Sequence, residues 1–156
     1  MNTQDVEIRL IQQNKKEFLP LLLLADEQEE MIDRYLERGD LYALYDSGVL
    51  RTTCVVTREG EDVYEIKSLA TDPRYQRQGY GRRMVRYVCE RYRPLARALL
   101  VGTGDVPRSL RFYQGCGFQI SHRIPGFFTD HYDHPMIEDG VQLVDMVYLR
   151  IDYNAR

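Results

Sequence analysis

Residues 63 to 92 place an apolar run, a glycine-punctuated turn and an amphipathic helix one after another, and this order restricts the possible folds more than any other feature of the chain. Val63 to Ala70 reads as a strand that Thr71-Asp72-Pro73 ends, and Gln76-Arg77-Gln78-Gly79-Tyr80-Gly81 reads as the turn. From Arg82 the apolar residues Val85, Val88, Cys89 and Tyr92 fall at i, i+3, i+4 and i+7, the period of a helix with one buried face. The start of such a helix leaves its first amides without partners and carries the positive end of the macrodipole, so it attracts anions. Gly79 and Gly81 lack a Cβ, which lets a phosphate come close to the backbone.

Charge supports an anion at this turn. The chain has a net charge of −3, yet between residues 72 and 97 Arg74, Arg77, Arg82, Arg83, Arg86, Arg91, Arg93 and Arg97 outnumber Asp72 and Glu90. A locally basic glycine turn in an acidic chain suits a small polyanion. For Arg86, Arg91 and Arg93 an ordinary solvated helix face explains the pattern equally well. The overall acidity argues against duplex nucleic acid as a partner.

At 156 residues and 44% hydrophobic, residues 1–156 are expected to form one globular domain with a full core. The longest apolar run, residues 21 to 25, is too short to span a bilayer, and the first residues lack the basic-then-apolar layout of an export signal. Cys54, Cys89 and Cys116 have no metal-like spacing, so free thiols in a reducing cytoplasm are expected.

Taken in order, residues 6 to 10 alternate as a first strand, and Lys15 to Arg38 reads as helix-rich, with Pro20 in a first turn or a break and Gly39 as the stop. The acidic stretch from Asp26 to Glu30 suits the start of a second helix. Residues 41–45 and 49–57 pair across Asp46-Ser47-Gly48, and a second turn at residues 59–62 leads into the central strand. After the long helix come a short strand over residues 98–103, a helix over 106–114 and a strand over 118–124. Residues 125–140 read as a long loop, and 141–152 as a final strand whose exposure would allow pairing with a second copy as a homodimer. The order implies an α/β fold, a mixed sheet with helices on its faces.

The turn resembles the fingerprint of the GNAT family of N-acetyltransferases, (Gln/Arg)-x-x-Gly-x-(Gly/Ala), which follows a strand and opens a helix; Gln76 to Gly81 match it in full. A second signature of that family, an aromatic-Tyr pair followed by Gly-Phe, is matched by Phe112-Tyr113 and Gly117-Phe118. The resemblance covers residues 63 to 124 and is that of a small bacterial-type, single-domain member. It implies a GNAT-like mixed central sheet splayed at its middle, with acetyl-CoA as co-substrate lying in the splay. On that basis the backbone of Leu69, Ala70 and Thr71 meets the pantetheine arm and the thioester. The amides of Gln76, Arg77, Gln78, Gly79, Tyr80, Gly81 and Arg82 hold the pyrophosphate. Asp105 stands near where many members place a cofactor-binding Asn, and a carboxylate suits that role poorly.

Acetyl transfer needs a deprotonated amine, a positioned carbonyl, oxyanion stabilisation and a proton for the leaving thiolate. By the resemblance Tyr113 serves the thiolate, best by hydrogen-bonding the sulfur as charge develops, in a site that lowers its pKa. One helix-packing tyrosine among twelve is the plain alternative. Glu65 is the expected base. Strict alternation places it on one face with Val63, Lys67 and Leu69, and a same-face ion pair with Lys67 explains it equally well. A backbone N–H of Leu69 or Ala70 is expected to meet the oxyanion. Cys116 has no evident base partner and reads as a small packing residue rather than an acetyl relay. His131 and His134 lack a third soft ligand nearby, so no metal is expected, and their loop instead walls an acceptor pocket, with Asp130 or Asp133 attracting an ammonium. The acceptor is an amine, small or peptidic, that the sequence does not identify. The competing reading is a non-catalytic acyl-CoA-binding or partner-binding domain. A nucleotide phosphotransferase would need a Lys-Ser/Thr pair after the turn, which is missing.

Overall fold

The computed structural model describes residues 5–153. β1 (Val6–Ile11) pairs antiparallel with β2 (Asp40–Asp46), and between them lie a 3-10 turn at Lys15–Phe18, α1 (Leu19–Ala25) and α2 (Glu29–Asp33). Pro20 sits in the first turn of α1, where its missing N–H costs nothing. Glu29 and Glu30 open α2 as the dipole argument requires. The chain after α2 is tied down by Lys15, whose buried ammonium donates to the carbonyls of Leu36 at 3.1 Å, Glu37 at 3.2 Å and Gly39 at 2.7 Å. They belong to the turn over residues 34–39 that follows α2, where the helix-rich reading up to Arg38 gives way to irregular backbone.

β2 turns into β3 (Val49–Gly60) through Ser47 and Gly48, both with positive φ, the pair that a tight hairpin demands. β4 (Val63–Thr71) pairs antiparallel with β3, and α3 (Tyr80–Tyr92) follows it. Thus α3 starts two residues earlier than the apolar period alone suggests. β5 (Ala98–Gly104), α4 (Pro107–Gly115) and β6 (Gln119–Ile124) come next.

Residues 125–152 depart from the expected loop and single strand. They hold a short helix α5 (Phe127–His131), a small hairpin of β7 (Ile137–Glu138) and β8 (Val141–Gln142), and then β9 (Met146–Asp152). The seven-stranded sheet runs β1-β2-β3-β4-β5-β9-β6, antiparallel except for β4 beside β5. β9 therefore lies inside the sheet, and the expected exposed final strand is corrected: the edges are β1 and β6. The short β7–β8 turn consumes the residues that would have lengthened β9.

Helices cover both faces. On one, Met84, Val85, Val88, Cys89 and Tyr92 of α3 bury against Tyr42, Leu44, Cys54, Val56 and Ile66. On the other, Leu22, Ile32 and Leu36 bury against Leu41 and Val55. A third cluster, Val106, Phe128, Met136 and Leu143, holds the 125–145 segment to the fold.

The feature that positions the site is the parting of β4 from β5. They pair only over Val63–Ile66 and Ala98–Val101, after which β4 runs on to Thr71 and β5 to Gly104 without a ladder between them. β4 also bulges against β3: Val55 faces Ser68 and Val56 faces Ile66, which leaves Lys67 as the extra residue. An added residue reverses side-chain parity. Ile66 and Leu69, three apart, accordingly both pack on the α3 side, and Ser68 lies opposite Val55 of the other cluster. The expectation that Glu65 and Leu69 share one face is corrected for that reason.

Candidate active site

Gly79 caps α3 with φ 90°, and Arg77 before it has φ 63°. The first bond of the helix runs from the Arg83 N–H to the Gly79 carbonyl at 3.0 Å, so the amides of Tyr80, Gly81 and Arg82 have no intrahelical acceptor. The turn is fastened from several sides. Asp72 accepts from the Arg74 amide at 2.9 Å and from its guanidinium at 2.8 Å, and these bonds hold its carboxyl down at about 2. Gln76 Nε2 donates to the Thr71 carbonyl at 3.2 Å. The buried Tyr80 phenol donates to Asp46 at 2.5 Å, and the Arg51 guanidinium lies 3.8 Å from the Tyr75 ring centre. The Gln76 and Tyr80 side chains are thus occupied in building the turn, so what they present to a ligand is backbone. Gln78, Arg77 and Arg82 are exposed.

Of the arginines downstream, Arg91 donates to the Tyr42 hydroxyl at 2.7 Å and Arg93 bonds Glu90. Both belong to the helix face rather than to the turn.

Next to the turn the parted strands open into a cleft of about 670 Å³, lined by Glu65, Lys67, Leu69, Phe112, Tyr113 and Tyr148 among others. Glu65, Leu69 and Tyr113 therefore share one space, reached by the reversed parity of β4 and by the opening of its edge. Ala70, Thr71 and residues 76–82 lie outside the cleft lining. Phe112 bridges the two regions: a Cβ built on Gly81 would stand 3.7 Å from its ring and 3.5 Å from Thr71 Oγ1.

The Asp72 N–H donates to the Arg51 carbonyl at 2.9 Å. Counting back along an antiparallel ladder, Ala70 directs its N–H to β3, whereas Leu69 and Thr71 direct theirs into the splay. Of the two amides expected near the thioester oxygen, Ala70 is thereby ruled out on geometry and Leu69 is available.

Glu65 is 6% exposed, and both of its donors reach the same oxygen. Tyr148 donates to Oε2 at 2.9 Å, and Lys67 Nζ lies 3.2 Å from it. The ion pair with Lys67 and the place in the cleft thus coexist. Tyr148, whose ring stacks on His122 at 4.9 Å, escaped the sequence reading; its alternation with the buried Val147 and Leu149 was the available signal.

Tyr113 is 9% exposed, edge-on to Phe112 and Phe118. Burial pushes its hydroxyl pKa up, not down as expected, because the surrounding rings cannot solvate a phenolate. Burial likewise raises the Cys116 thiol and keeps it a poor nucleophile. Asp105 pairs with Arg123 at 2.7 Å.

The acceptor side of the cleft also differs from expectation. Asp130 and Asp133 are exposed and do not line it; the carboxylates that do, besides Glu65, are Asp26, Glu27 and Glu138. Asp26 receives the Tyr132 hydroxyl at 2.8 Å and the Tyr35 hydroxyl at 3.3 Å. Next to it the Asp133 amide donates to Gln28 Oε1 at 3.0 Å, and His134 stands between Asp133 at 2.6 Å and Glu27 at 3.3 Å, which raise its pKa. The His131 ring packs on Phe127.

A sheet parted between two parallel strands, with a glycine-capped helix start beside the opening, defines an α/β protein built to hold an extended anionic ligand. The acetyltransferase (GNAT) family model matches residues 9–118, and the chain belongs to that family. The uncharacterized N-acetyltransferase YvbK of Bacillus subtilis (strain 168) is 35% identical over 154 residues, 97% of this chain and 99% of the relative. A crystal structure of a Bacillus subtilis acetyltransferase in complex with CoA has a TM-score of 0.88 at 34% identity, covering 94% of this chain and 98% of that one. A GNAT family acetyltransferase from Elizabethkingia anophelis with acetyl-CoA bound has a TM-score of 0.90 at 30% identity, covering 95% and 98%.

Because Tyr80 ties the start of α3 to Asp46 by a bond to a carboxylate, Tyr80→Phe is expected to lower stability and the urea midpoint. Urea unfolding at neutral pH measures it, and an unchanged midpoint would show that the bond adds nothing.

Proposed function

We propose that this chain is an N-acetyltransferase domain that moves an acetyl group from acetyl-CoA to an amine by direct attack in a ternary complex. The observation that carries the reading is the meeting of the free Leu69 edge, Glu65 and Tyr113 in one cleft beside the unpaired amides of α3. The same features in a carrier without transfer activity would leave Tyr113 and Glu65 without a task.

In this reading the amides around Gly79 to Arg82 take the pyrophosphate, with Arg77 and Arg82 as charge partners. The pantetheine runs along the open edge of β4, and the Leu69 N–H polarises the thioester carbonyl. The neutral amine attacks that carbon, the C–S bond breaks, and the electron pair leaves on sulfur. Tyr113 donates a hydrogen bond to the thiolate as charge develops. Its raised pKa makes complete proton transfer to sulfur unfavourable, so the thiol gains its proton from solvent. The proton lost by the attacking amine passes to Glu65 through water. Lys67 and Tyr148 fix one oxygen of that carboxylate and leave Oε1 for the relay.

Tyr113→Phe is expected to lower kcat about a hundredfold or more while CoA affinity stays unchanged, in steady-state kinetics paired with calorimetry. An unaltered kcat removes Tyr113 from the mechanism. Since burial raises its pKa, the wild-type hydroxyl stays protonated through neutral and mildly basic pH, and kcat has no falling limb from it below about pH 10. Glu65→Gln is expected to lower kcat at least about tenfold at fixed pH while CoA affinity stays unchanged, and an unaltered kcat would strike Glu65 from the role of base. At the turn, Gly79→Val forces a β-branched residue to a positive φ and crowds the phosphate path, so the heat of CoA binding is expected to vanish. Gly81→Ala, whose new carbon meets nothing nearer than 3.5 Å, should retain it. Normal CoA binding by Gly79→Val would refute the turn assignment. Release of thiol with an amine present separates transfer from mere binding.

A further inference from the structure

The cleft has a carboxylate that the transfer chemistry does not use. Asp26 joins α1 to α2, lines the cleft and is 8% exposed. Its two oxygens each accept one tyrosine hydroxyl, Oδ1 from Tyr132 and Oδ2 from Tyr35, and the Gln28 backbone adds a further hydrogen bond to the carboxylate. Among the described residues it has no cation at ion-pair distance. A carboxylate offers about four acceptor sites, so capacity is left. Burial raises its pKa, the mark of a charge short of stabilisation.

Most of the charges around it are already paired. Glu65 is neutralised by Lys67 at 3.2 Å, and Glu27 faces His134 at 3.3 Å. Of the cations lining the cleft, Arg38 pairs with Glu59 at 2.8 Å and Arg108 lies 3.6 Å from Asp139. Arg34, exposed at the rim, forms no ion pair among the described residues, and its charge acts on Tyr132, the residue bonded to Asp26. The half-buried Glu138 takes the Ser109 hydroxyl at 2.7 Å and has no cation at ion-pair distance among the described residues. On its acceptor side the cleft thus has two carboxylates without an ion-pair partner, Asp26 and Glu138, against the one rim cation Arg34, between walls that include Met31, Phe127, Phe128 and Met136.

An ammonium seated on Asp26 cannot be the group that attacks, because contact with an unneutralised carboxylate favours the protonated amine. The attacking amine belongs beside the Glu65–Lys67 pair, whose charges cancel. We propose that the acceptor is a small diamine, one end held as an ammonium by Asp26 while the other, neutral, attacks near Glu65, with an apolar spacer against the aromatic and methionine walls. This rests on the acetyltransferase reading and narrows its acceptor. The arrangement also favours small molecules. Tyr132, Asp133 and His134 bond the 26–28 segment and draw the 126–140 stretch across that side of the cleft.

The test compares hexylamine with 1,6-diaminohexane as acceptors for the purified full chain, reading thiol release from acetyl-CoA, with calorimetry of CoA binding alongside. Wild type is expected to show kcat/KM at least tenfold higher for the diamine. In Asp26→Asn, checked for folding by its thermal melt, that ratio is expected to fall towards one. A wild-type ratio near one, a folded Asp26→Asn that keeps the preference, or release with neither amine despite normal CoA binding would each overturn the proposal. An absence of CoA binding would instead overturn the acetyltransferase reading, and this inference with it.

Discussion

The separation of β4 from β5 beyond Ile66 and Val101 is the constraint on which the rest of the structure depends. Two parallel strands that part leave one backbone edge of each unsatisfied, a costly state if that edge were sealed from water and from ligand. Here the edge opens onto the cleft. The split is prepared on the other side of β4, where the extra residue Lys67 relieves the strand from a straight ladder with β3. Bulges increase local twist, and a more twisted β4 diverges naturally from the neighbour it has just been paired with. The bulge also decides chemistry. It sends the Glu65 side chain towards the α1–α2 side and the Leu69 side chain towards α3, so that the carboxylate enters the opening from one face while the Leu69 amide points into it from the strand edge.

What keeps the glycine turn in shape is a set of contacts that leave its amides alone. Thr52 and Thr71 share a hydroxyl bond at 3.0 Å, Gln76 reaches back to Thr71, and Tyr80 crosses to Asp46. Each anchor is a side chain, and none takes the N–H of Tyr80, Gly81 or Arg82. A preformed set of unpaired donors at the positive end of a 13-residue helix offers an anion its site without rearrangement. The exposed Asp72–Arg74 pair adds little in energy but shapes the 3-10 turn at Pro73–Tyr75, between β4 and the glycine turn.

Much of this was readable from residues alone because it is local. The run from Val63 to Tyr92 carries its strand, turn and helix signals within one stretch, and the match to the fingerprint needs only neighbours in sequence. The misjudgements arose where the cause is distant. A period-two count cannot register the bulge, since the shift is set by pairing with Val55 and Val56 on another strand. The place of β9 inside the sheet depends on β6 crossing to its far side, which no property of residues 146–152 announces. The contact of Tyr132 with Asp26 spans 106 positions, and Asp26 read only as a helix-start acid. The pKa of Tyr113 followed burial, which the sequence could assign to its ring but not to its hydroxyl.

The two halves of the cleft are built on different principles. The turn side comes from one continuous segment, through main-chain groups that no side-chain replacement removes. The acceptor side is assembled from side chains of α1–α2, α4, the 125–145 segment and β9, and its closure rests on three bonds from residues 132–134 to 26–28. Two of those three are exposed, the kind of contact that contributes little and is easily exchanged. Only the bond to Asp26 is sheltered enough to hold strongly. It follows that a few substitutions among residues 24–35 and 127–143 could reshape the acceptor side without touching the splay, the bulge or the glycine cap. Asp26 is the position where such a change would carry both a structural and a chemical consequence.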